Sequence, residues 1–250
     1  MDRAVNQTGA AAVDGGLRRA VRRLAALLGA EPCLLCGEAG LPGQPLCRPC
    51  RDALPWNAQT CARCALPLPP TDADAGGVCG ACLRRPPPQA AARAAFVYEG
   101  GLRRLLPRAK FHGDLAAARL LSGLMAERWR DVPRPQALVP VPLHAARLRR
   151  RGYDQALELA KPLARALGMP LRADALRRVR DTAAQSDLSA AQRRRNLRDA
   201  FAVRADATLP AHVAVFDDVM TTGATAHAAV RALTRAGVAR VELWVCARVR

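Results

Sequence analysis

Eight of the nine cysteines stand in four CxxC pairs: Cys33/Cys36, Cys47/Cys50, Cys61/Cys64 and Cys79/Cys82. Two sulfurs at that spacing reach one metal from a single turn, and two such pairs close a tetrahedral thiolate site. Ten residues separate Cys36 from Cys47 and fourteen separate Cys64 from Cys79, gaps that suit zinc ribbons. Eight thiolates imply two zinc ions. The expected pairing is sequential: Cys33, Cys36, Cys47 and Cys50 hold one ion, and Cys61, Cys64, Cys79 and Cys82 the other. An interleaved pairing is the alternative. No His or carboxylate stands in register with the pairs, so both sites are expected to be structural rather than catalytic. Disulfides and an iron–sulfur cluster are the competing uses of such cysteines. No secretory signal is recognisable, which favours metal and a reducing cytoplasm. Cys246 stands alone and reads as a buried strand residue.

A second chemical grouping lies at Val213-Ala214-Val215-Phe216-Asp217-Asp218-Val219-Met220-Thr221-Thr222-Gly223-Ala224-Thr225. An apolar strand ends in two carboxylates, a hydroxyl-rich turn follows, and an Ala-rich helix begins. Such a turn gathers backbone N–H groups and the positive end of a helix at one point, which suits a phosphate. Thr221, Thr222 and Thr225 add hydroxyl donors, and Gly223 lets the backbone come close. Asp217 and Asp218 can accept hydrogen bonds from vicinal hydroxyls, directly or through a Mg²⁺ shell. A helix N-cap beside a solvated strand end is the plainer use of these residues. The whole string is similar to the ribose-5-phosphate loop of type I phosphoribosyltransferases, which bind phosphoribosyl diphosphate (PRPP).

These groups need elements to hold them. Residues 1–30 read as an Ala/Gly-rich leader with one short helix. Residues 31–88 form the cysteine-rich module, closed by Pro86-Pro87-Pro88, a stiff stretch that marks a boundary. From 89 to 250 the texture changes. Strands are expected at Phe96–Tyr98, Ala137–Val141, His212–Phe216 and Val241–Cys246. Helices are expected at Leu115–Trp129, Gln155–Leu167 and Ala224–Ala236, with Gly168 and Gly237 as stops. Alternating strands and helices predict an α/β fold: a mostly parallel sheet with flanking helices, preceded by the small double zinc-ribbon module.

Other stretches then fit one family. Val139-Pro140-Val141-Pro142-Leu143-His144, Arg147 and Arg151-Gly152-Tyr153-Asp154-Gln155 resemble the ComF pattern VPVPLHxxRxxxRGFNQ. Thr182, Gln185, Leu188, Arg193, Asn196 and Phe201 resemble its TxxQxxLxxxxRxxNxxxxF stretch. Tyr98-Glu99-Gly100 and Lys110-Phe111-His112-Gly113-Asp114 match its opening segment. The resemblance spans residues 31 to 250. It implies a type I phosphoribosyltransferase-like domain in a protein associated with natural competence. It assigns pyrophosphate contact to Pro142, Leu143 and His144, with Arg147 and Arg151 nearby. It makes Thr182 to Asn196 a lid, from which Gln185, Arg193 and Asn196 close over the substrate. The implied chemistry is phosphoribosyl transfer with loss of pyrophosphate, with Mg²⁺ accompanying PRPP. One departure is Tyr153-Asp154, where the family has Phe-Asn.

The net charge of +18 is almost all Arg, since Lys occurs only at Lys110 and Lys161. Arg-for-Lys bias of this kind also follows from a GC-rich genome, so charge alone does not name a partner. It leaves a rival reading open: a single-stranded DNA-binding module of competence, with PRPP regulatory or vestigial. A scaffold docking other competence proteins is a third. No apolar stretch reaches the ~20 residues of a membrane span, so membrane insertion is not expected.

Overall fold

A computed structural model describes residues 31–69, 77–111, 114–180 and 199–250. The chain divides into two compact units, Met1–Leu54 and Pro55–Arg250.

In the first unit, the backbone turns tightly around the first two CxxC pairs. The Cys33 N–H donates to the Glu38 carbonyl at 2.7 Å and the Gly37 N–H returns to the Cys33 carbonyl at 2.8 Å. Gly40 leaves no room for a side chain, because a Cβ there would lie 2.5 Å from the carbonyls of Gln44 and Glu31. Helix α1, Arg48–Asp52, starts directly after Cys47 with a proline in its first turn, where a missing N–H costs nothing.

The second unit holds the remaining cysteines and the α/β body. Helix α2, Gly80–Arg84, starts at Cys79. Four parallel strands form the sheet: β1 Ala91–Val97, β2 Ala137–Pro140, β5 His212–Met220 and β6 Arg240–Arg248, in the order β1-β6-β5-β2. Their near-continuous apolar runs are those of a sheet covered on both faces. Helices α3, Leu102–Phe111, and α4, Leu115–Arg128, follow β1. Helices α5, Ala145–Arg151, and α6, Gln155–Leu167, follow β2. A separate antiparallel pair, β3 Leu176–Arg178 and β4 Phe201–Val203, comes next. Helix α7, Ala224–Arg235, links β5 to β6.

The pleat sorts the sheet side chains between two layers. Val213, Val215, Leu243 and Val245 join Ala229, Val230 and Leu233 of α7 and Leu176 and Phe201 of the hairpin in one buried cluster. Cys61, Cys64 and Cys82 belong to that same cluster. The second cysteine quartet is therefore part of the core of the α/β body. Trp244 occupies the alternate face of β6 and stacks on Trp129 at the end of α4, with ring centroids 4.9 Å apart. On that side Ser122 of α4 donates to the Leu159 carbonyl of α6 at 2.8 Å, the two helices meeting through a small buried hydroxyl.

The helices expected from residue 115 onward appear within a residue of their predicted ends, and the short helix expected within residues 1–30 lies outside the described residues. Strand β2 stops at Pro140, one residue before its expected end, and β1 stops before Tyr98, whereas β1, β5 and β6 extend beyond their expected bounds at one or both ends. Strand β5 continues through Asp217 and Asp218 to Met220, because β6 pairs with it as far as Arg248. Strand β1 begins at Ala91 although Ala and Arg are weak strand formers, because Ala91 to Ala94 pair with Glu242 to Val245. Composition alone did not announce α3, α5 or the β3–β4 hairpin.

Candidate functional site

The two quartets assemble sequentially. One ligand atom from each of Cys33, Cys36, Cys47 and Cys50 lies within 4.8 Å of the others, and the same holds for Cys61, Cys64, Cys79 and Cys82. The sulfurs of Cys36 and Cys47 are 3.6 Å apart, and those of Cys64 and Cys79 are 3.7 Å apart. A tetrahedron with Zn–S bonds of about 2.3 Å has an edge of about 3.8 Å, so the cysteines fit zinc. Burial pushes thiols upward, yet at Cys33 and Cys61 converging backbone N–H groups outweigh it. Cys33 falls to about 6 under donors from Cys47, Cys36 and Leu35. Cys61 falls to about 7 under donors from Cys79, Arg63 and Cys64. Cys50 and Cys82 are instead pushed up, by burial and then by the neighbouring sulfurs. One thiolate forms readily in each quartet and the last resists, which a divalent cation reverses. With all four thiolates committed, these ions hold structure and leave no open position for a substrate.

The phosphate-type loop follows β5, an interior strand at the carboxyl edge of the sheet. Helices α6 and α7 on either side of it pack on opposite faces, the arrangement that opens a crevice beyond the strand ends. Asp217, Val219, Met220 and the turn from Thr221 to Ala226 line a cavity of about 130 Å³. The N-cap residue Gly223 has no side chain to cap α7, and Thr222 Oγ1 accepts from the Ala224 N–H at 3.4 Å, so the next N–H groups of the first turn are the ones offered to a ligand. Thr221 and Thr222 are exposed, and Thr225 is half-buried. Gly223 adopts a left-handed φ of +77°, and a Cβ there would meet Met220 at 2.7 Å and the His227 ring at 2.8 Å. Burial, then the charges of Arg231 and Arg248, lower His227 to about 4. The imidazole under the loop is therefore neutral at physiological pH. Sequence reading did not single out His227, and only its i+4 offset from Gly223 points to it.

The two adjacent carboxylates have separate surroundings. Asp217 lines the cavity, and one of its oxygens accepts from the Asp218 N–H at 2.9 Å. Asp218 is 8% exposed, accepts from the Val219 N–H at 2.7 Å, and disfavours ionisation of Asp154 and Cys246. The pleat has turned successive side chains to opposite faces.

The loop after β2 lies beside β5, with the Val141 N–H donating to the Phe216 carbonyl at 2.8 Å. Pro142, Leu143 and His144 are half-buried there. The Leu143 N–H is engaged: it donates to Asp154 at 2.6 Å. The other Asp154 oxygen caps α6, accepting from the Leu157 N–H at 3.1 Å. Burial raises the Asp154 carboxyl despite these donors, and the charge of Asp218 adds to the effect. His144 caps α5 through Nδ1, 3.3 Å from the Ala146 N–H. Arg147 and Arg151 sit half-buried on that helix, while Arg149 and Arg150 are exposed.

Residues 24–83 match the double zinc ribbon domain. The chain is 36% identical to the DNA utilization protein YhgH of Salmonella typhi over 226 residues, covering 86% of this chain and 96% of that one. The chain belongs to the ComF family. The YhgH protein of Escherichia coli K12 is 34% identical over 81% of this chain and 90% of its own length. Competence protein F of Haemophilus influenzae is 36% identical over 68% of this chain and 78% of its own length.

Within this ComF chain, the Asp154 that departs from the family motif now has two uses, capping α6 and holding the loop after β2. The lid candidates Gln185, Arg193 and Asn196 lie outside the described residues, as do Thr182 and Leu188. Among the described residues, no helix is long and apolar enough to cross a membrane. A larger cavity of about 420 Å³ borders the N-terminal half of edge strand β1, away from the phosphate-type loop. Asn57, Gln59, Thr60, Arg93, Arg128 and Trp129 are on its wall.

Proposed function

We propose that this ComF protein binds PRPP at the β5–α7 loop in the cytoplasm and serves DNA utilization, the role printed in the names of its YhgH relatives. The observation that carries the reading is the loop itself. A cavity sized for a phosphate group is walled by hydroxyls, by the N-terminal turn of α7 and by a glycine that cannot be replaced without a collision. Thr221, Thr222, Gly223, Ala224 and Thr225 take the 5-phosphate. Asp217, on the same cavity, takes the ribose hydroxyls, and Asp218 braces it from behind. His144, Arg147 and Arg151 stand beside the neighbouring strand end, where the diphosphate of a PRPP seated on the loop comes to rest. Guanidinium forks suit that group. Asp217 would hold the Mg²⁺ that accompanies such a diphosphate, where the ion would offset its charge. If transfer follows, the bond from the ribose anomeric carbon to pyrophosphate breaks as an acceptor nucleophile bonds to that carbon. Catalysis is then positioning and charge stabilisation, with no covalent protein intermediate.

Calorimetric titration of the zinc-loaded protein with PRPP and Mg²⁺ tests this. Micromolar binding, worth about 8 kcal/mol, is expected, and it should vanish in a folded Asp217→Asn/Asp218→Asn variant. A folded wild type that gives no heat would refute the reading.

A second reading has its own support. Helix α5 reads Ala-Ala-Arg-Leu-Arg-Arg-Arg without an acidic residue, exposing Arg149 and Arg150, and Arg93 and Arg128 face the larger cavity. These cations suit the phosphates of single-stranded DNA. Binding whose affinity falls with salt at a slope of about −0.7 per phosphate contacted, and which survives the double Asp variant, would make nucleic acid the primary ligand.

A further inference from the structure

The guanidinium of Arg248 joins two places that the sequence keeps far apart. Its Nε donates to the Cys64 carbonyl at 3.2 Å, across 184 positions. Its Nη1 donates to the Met220 carbonyl at 3.1 Å and to the Thr221 carbonyl at 2.6 Å, and also to Val249. Cys64 is a ligand residue of the second quartet. Met220 and Thr221 begin the phosphate-type loop. We propose that Arg248 is a positioning residue, which transmits the closed geometry of the Cys61–Cys64–Cys79–Cys82 site to the phosphate loop.

The geometry gives the link a definite effect. In a trans peptide the carbonyl and the following N–H point in opposite directions. Arg248 holds the Thr221 carbonyl and shares the Met220 carbonyl with the Val249 N–H at 3.0 Å, and holding both on that side turns the N–H groups of Thr221 and Thr222 to the other side of their peptide planes. Two loop donors are thus oriented before any ligand arrives, and two carbonyl oxygens are kept from an incoming anion. A guanidinium can do this because its N–H groups are fixed in one plane. An ammonium offers rotating donors and no fork.

The anchor at the other end is stiff. Ala65, next to Cys64, sits at a left-handed φ of 53°. Its carbonyl accepts from Asn57 Nδ2 at 3.0 Å and its N–H donates to the Cys61 carbonyl at 2.8 Å. The Cys79 N–H donates to the Cys61 sulfur at 3.3 Å. The position of the Cys64 carbonyl is therefore set by the same turn that presents the thiolates. When the quartet opens, by metal loss or thiol oxidation, the carbonyl that locates Arg248 moves with it. The consequence for ligand affinity rests on the PRPP reading, whereas the consequence for loop order does not.

The test is amide hydrogen exchange of the full-length protein without ligand, read over residues 220–226, with zinc content measured on the same samples. Arg248→Met should keep two zinc ions per chain and raise exchange there about tenfold, while Gln155–Leu167 stays unchanged. Arg248→Lys should recover only part of the protection. Cys61→Ser/Cys64→Ser should hold one zinc and show the same local rise. Unchanged exchange at 220–226 in a folded, zinc-replete Arg248→Met protein would overturn the proposal, even if the cysteine variant does not fold. PRPP titration separates the two ideas. A wild type that fails to bind PRPP, alongside a variant with raised exchange, removes the ligand assignment and leaves the link standing. A variant with raised exchange that still binds PRPP as tightly as wild type leaves the link to loop order and removes its consequence for the ligand.

Discussion

Gly223 and His227 form one contact, and each constrains the other. A Cβ at Gly223 would meet the ring at 2.8 Å in a backbone region that L side chains avoid. Gly223→Ala should therefore cost about 1–3 kcal/mol in urea unfolding and abolish phosphate-ligand binding. His227 supplies a pH dependence with a defined sign. Its folded value of about 4 lies below the ordinary value of 6.5, so between those pH values the unfolded chain binds the extra proton. Stability is complete above about 6.5 and falls as pH drops toward 4, by about 2 kcal/mol at pH 5 from this group alone. Chemical denaturation at pH 7 and pH 5 should show the loss. The His227→Gln protein should show it reduced by that amount.

At the scale of elements, Asp154 ties the start of α6 to the loop after β2. Both of its oxygens take backbone N–H groups, from Leu157 and Leu143. Asp154→Ala removes a helix cap and leaves a second N–H stranded near the sheet end, a combined cost of about 2–4 kcal/mol. Asp154→Asn keeps one acceptor and sheds the charge that Asp218 opposes. It should be milder in thermal unfolding. If Asn proves as damaging as Ala, the Leu143 contact needs the second carboxylate oxygen and the motif residues are not interchangeable here.

At the scale of the whole molecule, the second quartet is built into the core of the α/β body, with Cys61, Cys64 and Cys82 in the cluster that holds Val215 and Leu233. Structural zinc at such a place is folding free energy. Chelation of the second ion should lower the melting temperature reported by Trp244, which is fully buried between β6 and α4. A Trp244 transition insensitive to zinc content would mean that the sheet core stands without the ribbon. The exposed arginines act at the same scale, through summed charge rather than any one contact, and salt dependence is their measure.

The sequence by itself determined the chemistry that is local. Thiolate pairs at CxxC spacing declare a metal site, because two ligands must reach one ion from one turn. A strand, a hydroxyl-rich turn, a glycine and a helix in direct succession mark a candidate phosphate loop, because the backbone groups involved are consecutive. The alternation of apolar runs with Ala/Leu-rich periodic segments declared the parallel sheet. Tertiary structure decided what depends on register and on distant partners. Pairing of β5 with β6 out to Arg248 placed Asp217 and Asp218 within a strand. The pleat then sent one carboxylate to the cavity and the other toward Asp154. The second quartet joined the sheet core because its apolar backing found the same cluster as α7. Arg248 reached Cys64 and Thr221 because strand length, rather than sequence distance, set where its side chain would end. Residue type and spacing point to a candidate ligand class, whereas orientation is a property of the packed sheet, where each side chain's face is fixed by neighbours that lie far along the chain.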